Sequence, residues 1–231
     1  MLFPVLTIKL AESLPKGGGA VYLVYMCMLL IGRDVHPEYK LIVAANRDEK
    51  YQRPTAAAHW WPGDPVVLAG SDLSAGGTWL GITKSGRFAA LTNYWGDTEQ
   101  RPDAPSRGGL VSGFLGSSVP APEYFHQRVP RESFGGPAGG ETSGLRDGPA
   151  PARRYNGFNL VMGSVDSLWY YSNVDETPPC EIDRGIHVLS NDLFDAPWPK
   201  ARTAHAGVQE LIASGRVNLL QPARAAQLGC G

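Results

Sequence analysis

Cys27 is the residue in this chain best suited to nucleophilic chemistry, and its neighbours decide what it can do. A thiolate is the strongest side-chain nucleophile available near neutral pH, provided its pKa is lowered. Cys27 follows Met26 and precedes the apolar run Met28-Leu29-Leu30-Ile31. A second apolar run, Leu41-Ile42-Val43-Ala44-Ala45, leads into Asn46-Arg47-Asp48-Glu49. If the two runs pair as strands, the thiol and this polar cluster meet at one sheet end. Arg47 is then placed to keep a thiolate ionised, and Asp48 to hold an ammonium or amide group. If Met26 is the initiator and is removed, Cys27 carries a free α-amine with a pKa near about 8, able to take the thiol proton itself. Plainer readings stand beside these. A free cysteine on an apolar strand is often simply buried, and Asn and Asp at a strand end commonly make a turn.

Two further residues fit the same chemistry. Asn93 follows Leu91-Thr92, and Asn191 follows Leu189-Ser190, both at the ends of apolar runs. A side-chain amide at such a place can donate to a developing oxyanion, or it can initiate a turn. Tyr155-Asn156-Gly157-Phe158-Asn159 likewise combines turn residues with aromatics. None of the five histidines (36, 59, 126, 187, 205) sits in a recognisable catalytic motif, and HExxH, GxSxG and a Gly-rich phosphate loop are all absent from the sequence.

The elements that must position these residues are mostly strands. Met28–Ile31 and Leu41–Ala45 read as two buried strands joined by a polar turn. Residues 53–66, rich in Pro, Trp and Ala, read as a structured surface loop. Trp79–Thr83 and Phe88–Tyr94 flank Lys84-Ser85-Gly86-Arg87 as a hairpin. Residues 107–115 suit a short helix with Leu110, Val111, Phe114 and Leu115 on one side. Periodicity is lost over the Gly/Pro-rich residues 130–154, which read as a mobile loop. Tyr155–Met162 and Leu168–Ser172 form another hairpin, and Gly185–Asn191 a further strand. Pro199–Ser214 is the best helix candidate, with Val208, Leu211 and Ile212 as its apolar stripe and Gly215 as its stop. A stacked pair of antiparallel sheets with helices outside is the natural way to bury so much apolar strand.

Composition bounds the function. The chain has 231 residues, 43% hydrophobic and 19% charged, which suits one domain with a sizeable core. A formal net charge of −1 provides no basic field for nucleic acid. The three cysteines, Cys27, Cys180 and Cys230, are widely spaced, with neither CxxC nor zinc spacing, and fit a reducing, cytoplasmic compartment. The apolar stretch from Ala20 to Ile31 faintly resembles a signal peptide but is too short for a stable membrane span. The favoured reading is that translation starts at Met26 and residues 1–25 are an upstream extension, leaving 26–231 as one domain.

Several blocks resemble one family. Met26-Cys27, Ala44-Ala45-Asn46-Arg47-Asp48-Glu49 and Arg53-Pro54 are similar to the start of NRDE proteins, also called the transport and Golgi organization protein 2 family. The likeness continues through residues 76–82, residues 89–94, Arg107-Gly108 with Leu110-Val111, residues 155–160, Leu189-Ser190-Asn191 and Pro197-Trp198. The family in turn resembles N-terminal-nucleophile hydrolases of the choloylglycine hydrolase and penicillin V acylase branch. That resemblance implies an α+β fold, a four-layer αββα sandwich of two antiparallel sheets. It implies Cys27 as nucleophile, Asp48 as the acid orienting its amine, Arg47 as the neighbouring active-site Arg, and Asn93 and Asn191 near the oxyanion site. Asn46, Glu49, Trp79, Tyr94 and Asn156 are the expected substrate-binding residues. The expected partner is a small acyl or amide substrate, with acyl-CoA, lipid or haem as the alternative cargo, and no cofactor. The family usually runs straight into the Tyr-Asn-Gly-Phe-Asn block, so 130–154 reads as an insertion. It also continues beyond position 231 with strands carrying a Gly-Thr-Arg segment, so the sandwich is expected to be incomplete at the C-terminus.

Overall fold

The computed structural model describes residues 27–49, 52–96, 100–129 and 154–215. The expectations for 1–25, for residues 130–153 and for the C-terminal end fall outside these residues. Ten strands and three helices are described. They are β1 (Met28–Arg33), β2 (Leu41–Asn46), β3 (Thr55–Trp61), β4 (Val67–Asp72), β5 (Leu80–Thr83) and β6 (Arg87–Asn93), then α1 (Gly108–Leu115) and α2 (Ala121–Arg128). After these come β7 (Phe158–Ser164), β8 (Ser167–Ser172), β9 (Cys180–Glu181), β10 (Gly185–Leu189) and α3 (Pro199–Ala213).

The strands form two antiparallel sheets. One has the order β10-β1-β2, and the other runs β3-β4-β5-β6-β7-β8-β9. Period-two alternation assigns their faces. From β1, Leu29 and Ile31 enter a core shared with Phe88 and Ala90 of β6 and Val161 of β7, which is the space between the sheets. Met28 and Leu30 point the other way, onto Ala201 and Val208 of α3. On the outer face of the larger sheet, Ala89, Leu91, Leu160 and Met162 meet Val111 and Phe114 of α1 and Tyr124 and Phe125 of α2. Helix, sheet, sheet, helix is therefore the layer order, and the α+β sandwich holds. Leu29, Leu30 and Ile31 are all 0% exposed. Each such side chain contributes about 1.5–3 kcal/mol on burial, so β1 is the best-anchored strand of its sheet.

Several readings need correction. Residues 53–66 are not a loop throughout, because Thr55–Trp61 pairs with β4 as an edge strand whose register shifts between Ala56 and His59. The strand β4, the helix α2 and the two-residue β9 are elements that the sequence reading does not include. In α3 the apolar stripe is Ala201, Ala204, Val208 and Ile212, whereas Leu211 faces solvent. That spacing, rather than adjacent Leu211-Ile212, is what one helix face allows.

Two contacts place α1. Arg87 Nη2 donates to the Phe114 and Val119 carbonyls at 3.1 and 2.8 Å, tying the helix end to β6. At the other end, Gly77 has φ +73°, and a Cβ there would lie 2.5 Å from the Gly108 carbonyl carbon. Thr78 N donates to Gly108 O, and Asp72 N to Gly77 O, so this close approach fixes where Arg107 sits relative to β4. Gly77→Ala is expected to cost about 3 kcal/mol through the left-handed backbone and the clash together. Urea unfolding reads this directly, and an unchanged midpoint would show that the approach is not tight.

Candidate functional site

Cys27 stands at the entrance to β1, which is the middle strand of its sheet. β1 pairs with β2 so that Met28 faces Asn46, and with β10 so that Leu29 faces Leu189. Carried on along both ladders, these registers bring Arg47 and Asn191 to either side of Cys27. The strand pairing thus produces the meeting of thiol and polar cluster that the sequence suggests. Cys27 is 8% exposed, and its thiol donates to the Asp48 carbonyl at 3.7 Å. Burial pushes the thiol pKa up. The backbone contact to Asp48 and the charge of Arg47 oppose this, while the Asp48 and Glu49 carboxylates add to it. The resting sulfur is therefore a protonated thiol, and its reaction needs a base.

The charged groups fall into two sets. Arg47 pairs with Glu49 at 3.1 Å and lies 3.9 Å from Asp72. Arg53 pairs with Asp72 at 2.7 Å and lies 3.9 Å from Glu49. These four brace one another. Asp72 Oδ1 also accepts the Ser74 and Ala75 amides at 3.0 and 3.1 Å. Burial alone would raise the Asp72 carboxyl, but the Arg53 hydrogen bond and these two amides outweigh it and hold it below the usual range. Asp48 belongs to the second set. Its Oδ1 accepts Asn46 Nδ2 at 2.9 Å, and it has no cationic partner among the described residues.

Arg107 is the other charge left over. Its Nη1 donates to Gly157 O at 2.9 Å, and it makes no ion pair among the described residues. Burial first, then repulsion from Arg53, lowers its pKa, while Glu49 and Cys27 attract it. In the sequence Arg53 and Arg107 stand out only as members of resembling blocks and as the starts of a loop and a helix, and Asp72 carries no signal.

The remaining candidates divide. Asn191 is 5% exposed and donates through Nδ2 to the Asn93 carbonyl at 2.7 Å, while its own carbonyl accepts Trp95 N at 2.9 Å. It therefore ties the small sheet to the end of β6. Its Oδ1 is buried without a partner. The Asn93 side chain makes no hydrogen bond among the described residues and stays free to act. Tyr94 N donates to the same Gly157 carbonyl that holds Arg107. Asn156 is occupied at both ends, accepting Arg101 N at 2.8 Å and donating to Arg101 O at 2.9 Å. Trp79 packs against the core between the sheets. A narrow crevice beside Cys27 is lined by Met28, Ser190, Trp198, Lys200 and Ala201. Among the described residues no cluster of three His, Cys, Asp or Glu side chains could hold a metal ion, and no helix is long and apolar enough to cross a membrane.

The arrangement of Cys27, Arg47 and Asp48 sits within a longer sequence match. Residues 26–225 match the family described as Transport and Golgi organisation 2. The chain belongs to that family. Among its relatives, Transport and Golgi organization 2 homolog of Mus musculus is 36% identical over 187 residues, covering 76% of this chain and 60% of that protein. The Bos taurus homolog is 36% identical over 215 residues, covering 88% of this chain and 70% of that protein. Transport and Golgi organization protein 2 of Drosophila melanogaster is 39% identical over 99 residues, 39% of this chain and 35% of its own length. This family member thus spans 60% to 70% of the two mammalian proteins.

The bracing pairs make a pH prediction. Asp72 has a depressed folded pKa, so its contribution is present above the unfolded value of about 3.9 and is lost as pH falls through the folded one. Asp72→Asn is expected to remove about 2 kcal/mol at pH 7 and to flatten the acid limb of stability below about pH 4. Unfolding midpoints measured across that range decide it. An acid limb as steep as wild type would remove Asp72 from the account.

Proposed function

We propose that this chain acts as a cysteine N-terminal-nucleophile hydrolase on a non-peptide amide or a thioester. The observation that supports it most is the place of Asp48 beside Cys27: its main-chain carbonyl accepts the thiol, and its carboxylate, held by Asn46, lacks a cationic partner among the described residues. A free Cys27 α-amine would fill this place: neutral, it is the base that a raised thiol pKa demands, and once it has taken the thiol proton it is the cation that Asp48 holds. Family resemblance supports the same assignment.

The steps follow from these groups. Once the Met26–Cys27 bond is cut, the amine takes the thiol proton and sulfur attacks the acyl carbon. The carbonyl electrons move onto oxygen, where the Asn93 amide and the second amide hydrogen of Asn191 donate to the oxyanion. Collapse expels the amine or thiolate leaving group, which takes the proton back from the ammonium. Water then attacks the thioester through the same amine, releasing the acid and restoring the thiol. Asp48 holds the amine in place, and Arg47 tempers the negative charge around the sulfur. Asn46 orients Asp48, and Glu49 orients Arg47. Tyr94 is the proposed substrate contact at the end of β6, and a cytoplasmic setting is part of the proposal.

A second reading draws on the buried, protonated state of the thiol: the same pocket binds an acyl-CoA, lipid or haem group without turnover. The two separate experimentally. Intact-mass and N-terminal mapping should find Cys27 as the first residue. A β-lactam or acyl-thioester probe should then label it, with labelling abolished in Cys27→Ala and slowed about 100-fold in Asp48→Asn. A mature chain that keeps residues ahead of Cys27, or equal labelling of Cys27→Ala, would sink the hydrolase reading. Titration of haem and an acyl-CoA against Arg47→Ala and Asp48→Ala tests the binding reading, which unchanged affinities would refute.

A further inference from the structure

We propose that Arg107 is an anion-recognition residue of the Cys27 site, receiving a carboxylate or phosphate of the ligand on its free Nε–Nη2 edge. This rests on the reading of Cys27 as the reacting centre. It goes beyond that reading by naming a feature the ligand must carry.

The argument begins with charge pairing. Arg47, Arg53, Arg107, Glu49, Asp48 and Asp72 gather where the two sheets meet, with Lys200 lining the crevice on the α3 side of Cys27. Arg47, Arg53, Glu49 and Asp72 satisfy one another at 2.7–3.9 Å. That leaves Asp48 without a cation and Arg107 without an anion among the described residues. The proposed Cys27 amine answers Asp48. Among the described residues no carboxylate pairs with Arg107, although it lies near enough to Cys27, Glu49 and Arg53 to feel their charges. A half-buried guanidinium beside another cation is costly to keep unpaired, so an arriving anion relieves both its desolvation and its repulsion from Arg53.

Geometry supports the role. The Gly77–Gly108 approach and the Thr78 N–Gly108 O bond lock the start of α1 against the turn after β4. Nη1 is spent on Gly157 O at 2.9 Å, which fixes the orientation of the fork. Nε and Nη2 make no hydrogen bond among the described residues. A guanidinium edge offers two parallel donors, which match the paired oxygens of a carboxylate or phosphate. The Gly157 carbonyl also receives Tyr94 N, so the same peptide aligns Arg107 with the end of β6, where Asn93 stands.

Two alkylating reagents of nearly equal size test this on the full chain. Iodoacetate carries a carboxylate and iodoacetamide does not. Rates at Cys27, read by mass spectrometry of its peptide and divided by those of free cysteine, give a ratio that a shift in thiol pKa leaves unchanged. The expected iodoacetate preference is about fivefold in wild type, is lost in Arg107→Gln and is partly kept in Arg107→Lys. Unfolding midpoints establish that both variants fold. Acetate and inorganic phosphate, added at ionic strength matched with chloride, then compete. Selective protection by one assigns that group to the ligand. A wild-type ratio of about one, a ratio unchanged in both variants, or no reaction of Cys27 with either reagent overturns the proposal. Because alkylation needs no turnover, a failed hydrolase reading leaves this ratio informative.

Discussion

Everything at the candidate site depends on β1 being paired on both edges at once. A strand between two antiparallel neighbours has its register set twice, and each register here carries a polar residue to the same end. β2 delivers Arg47 and Asp48, and β10 delivers Asn191. Because the side chains of β1 alternate between the α3 face and the space between the sheets, a slip by one residue would exchange Leu29 and Ile31 with Met28 and Leu30. Apolar burial therefore holds the position of the thiol.

The larger sheet supplies what the small one lacks. Arg53 comes from the chain entering β3, Asp72 from the end of β4, and Arg107 from the residue before α1. Asn191 closes the gap, since one end of its amide reaches the Asn93 carbonyl of the opposite sheet. The site is thus a seam between two sheets. Such a seam can hold opposing charges in a partly dry place, where pairing decides which of them remain available to a visitor.

Much of the frame was legible in the sequence. Runs such as Met28–Ile31, Leu41–Ala45 and Phe88–Leu91 are apolar on consecutive positions because both of their faces are covered, and that signal is strong. Strand β3 was illegible for the opposite reason. Its Ala56-Ala57-Ala58 centre has weak strand preference, it is largely exposed, and it lies at a sheet edge between Pro54 and Pro62. Helix α2 is hidden by Pro120 and Pro122, which read as loop residues yet flank and begin a helix. At the site, Cys27, Arg47 and Asp48 were readable because they share one hairpin. Arg53 follows Glu49 by four residues, but Asp72 and Arg107 reach the site only through the tertiary arrangement of the second sheet, so no spacing rule could have collected those two. Asn156 shows the reverse case, a residue attractive in its motif whose amide is wholly engaged with the main chain of Arg101.

The pairing of β1 with β10 also sets an order of events. Leu29 must find Leu189, so this ladder spans almost the whole described chain. Contacts of such long separation close slowly, because the intervening chain has to be confined first. Until β10 arrives, β1 and β2 form only a two-stranded hairpin, which is marginal by itself in water. On a chain emerging from its N-terminus, the thiol is made early, but its second neighbour comes late. The thiol end of the molecule is consequently among the last parts to mature, and its assembly reports that the rest of the sandwich is already in place.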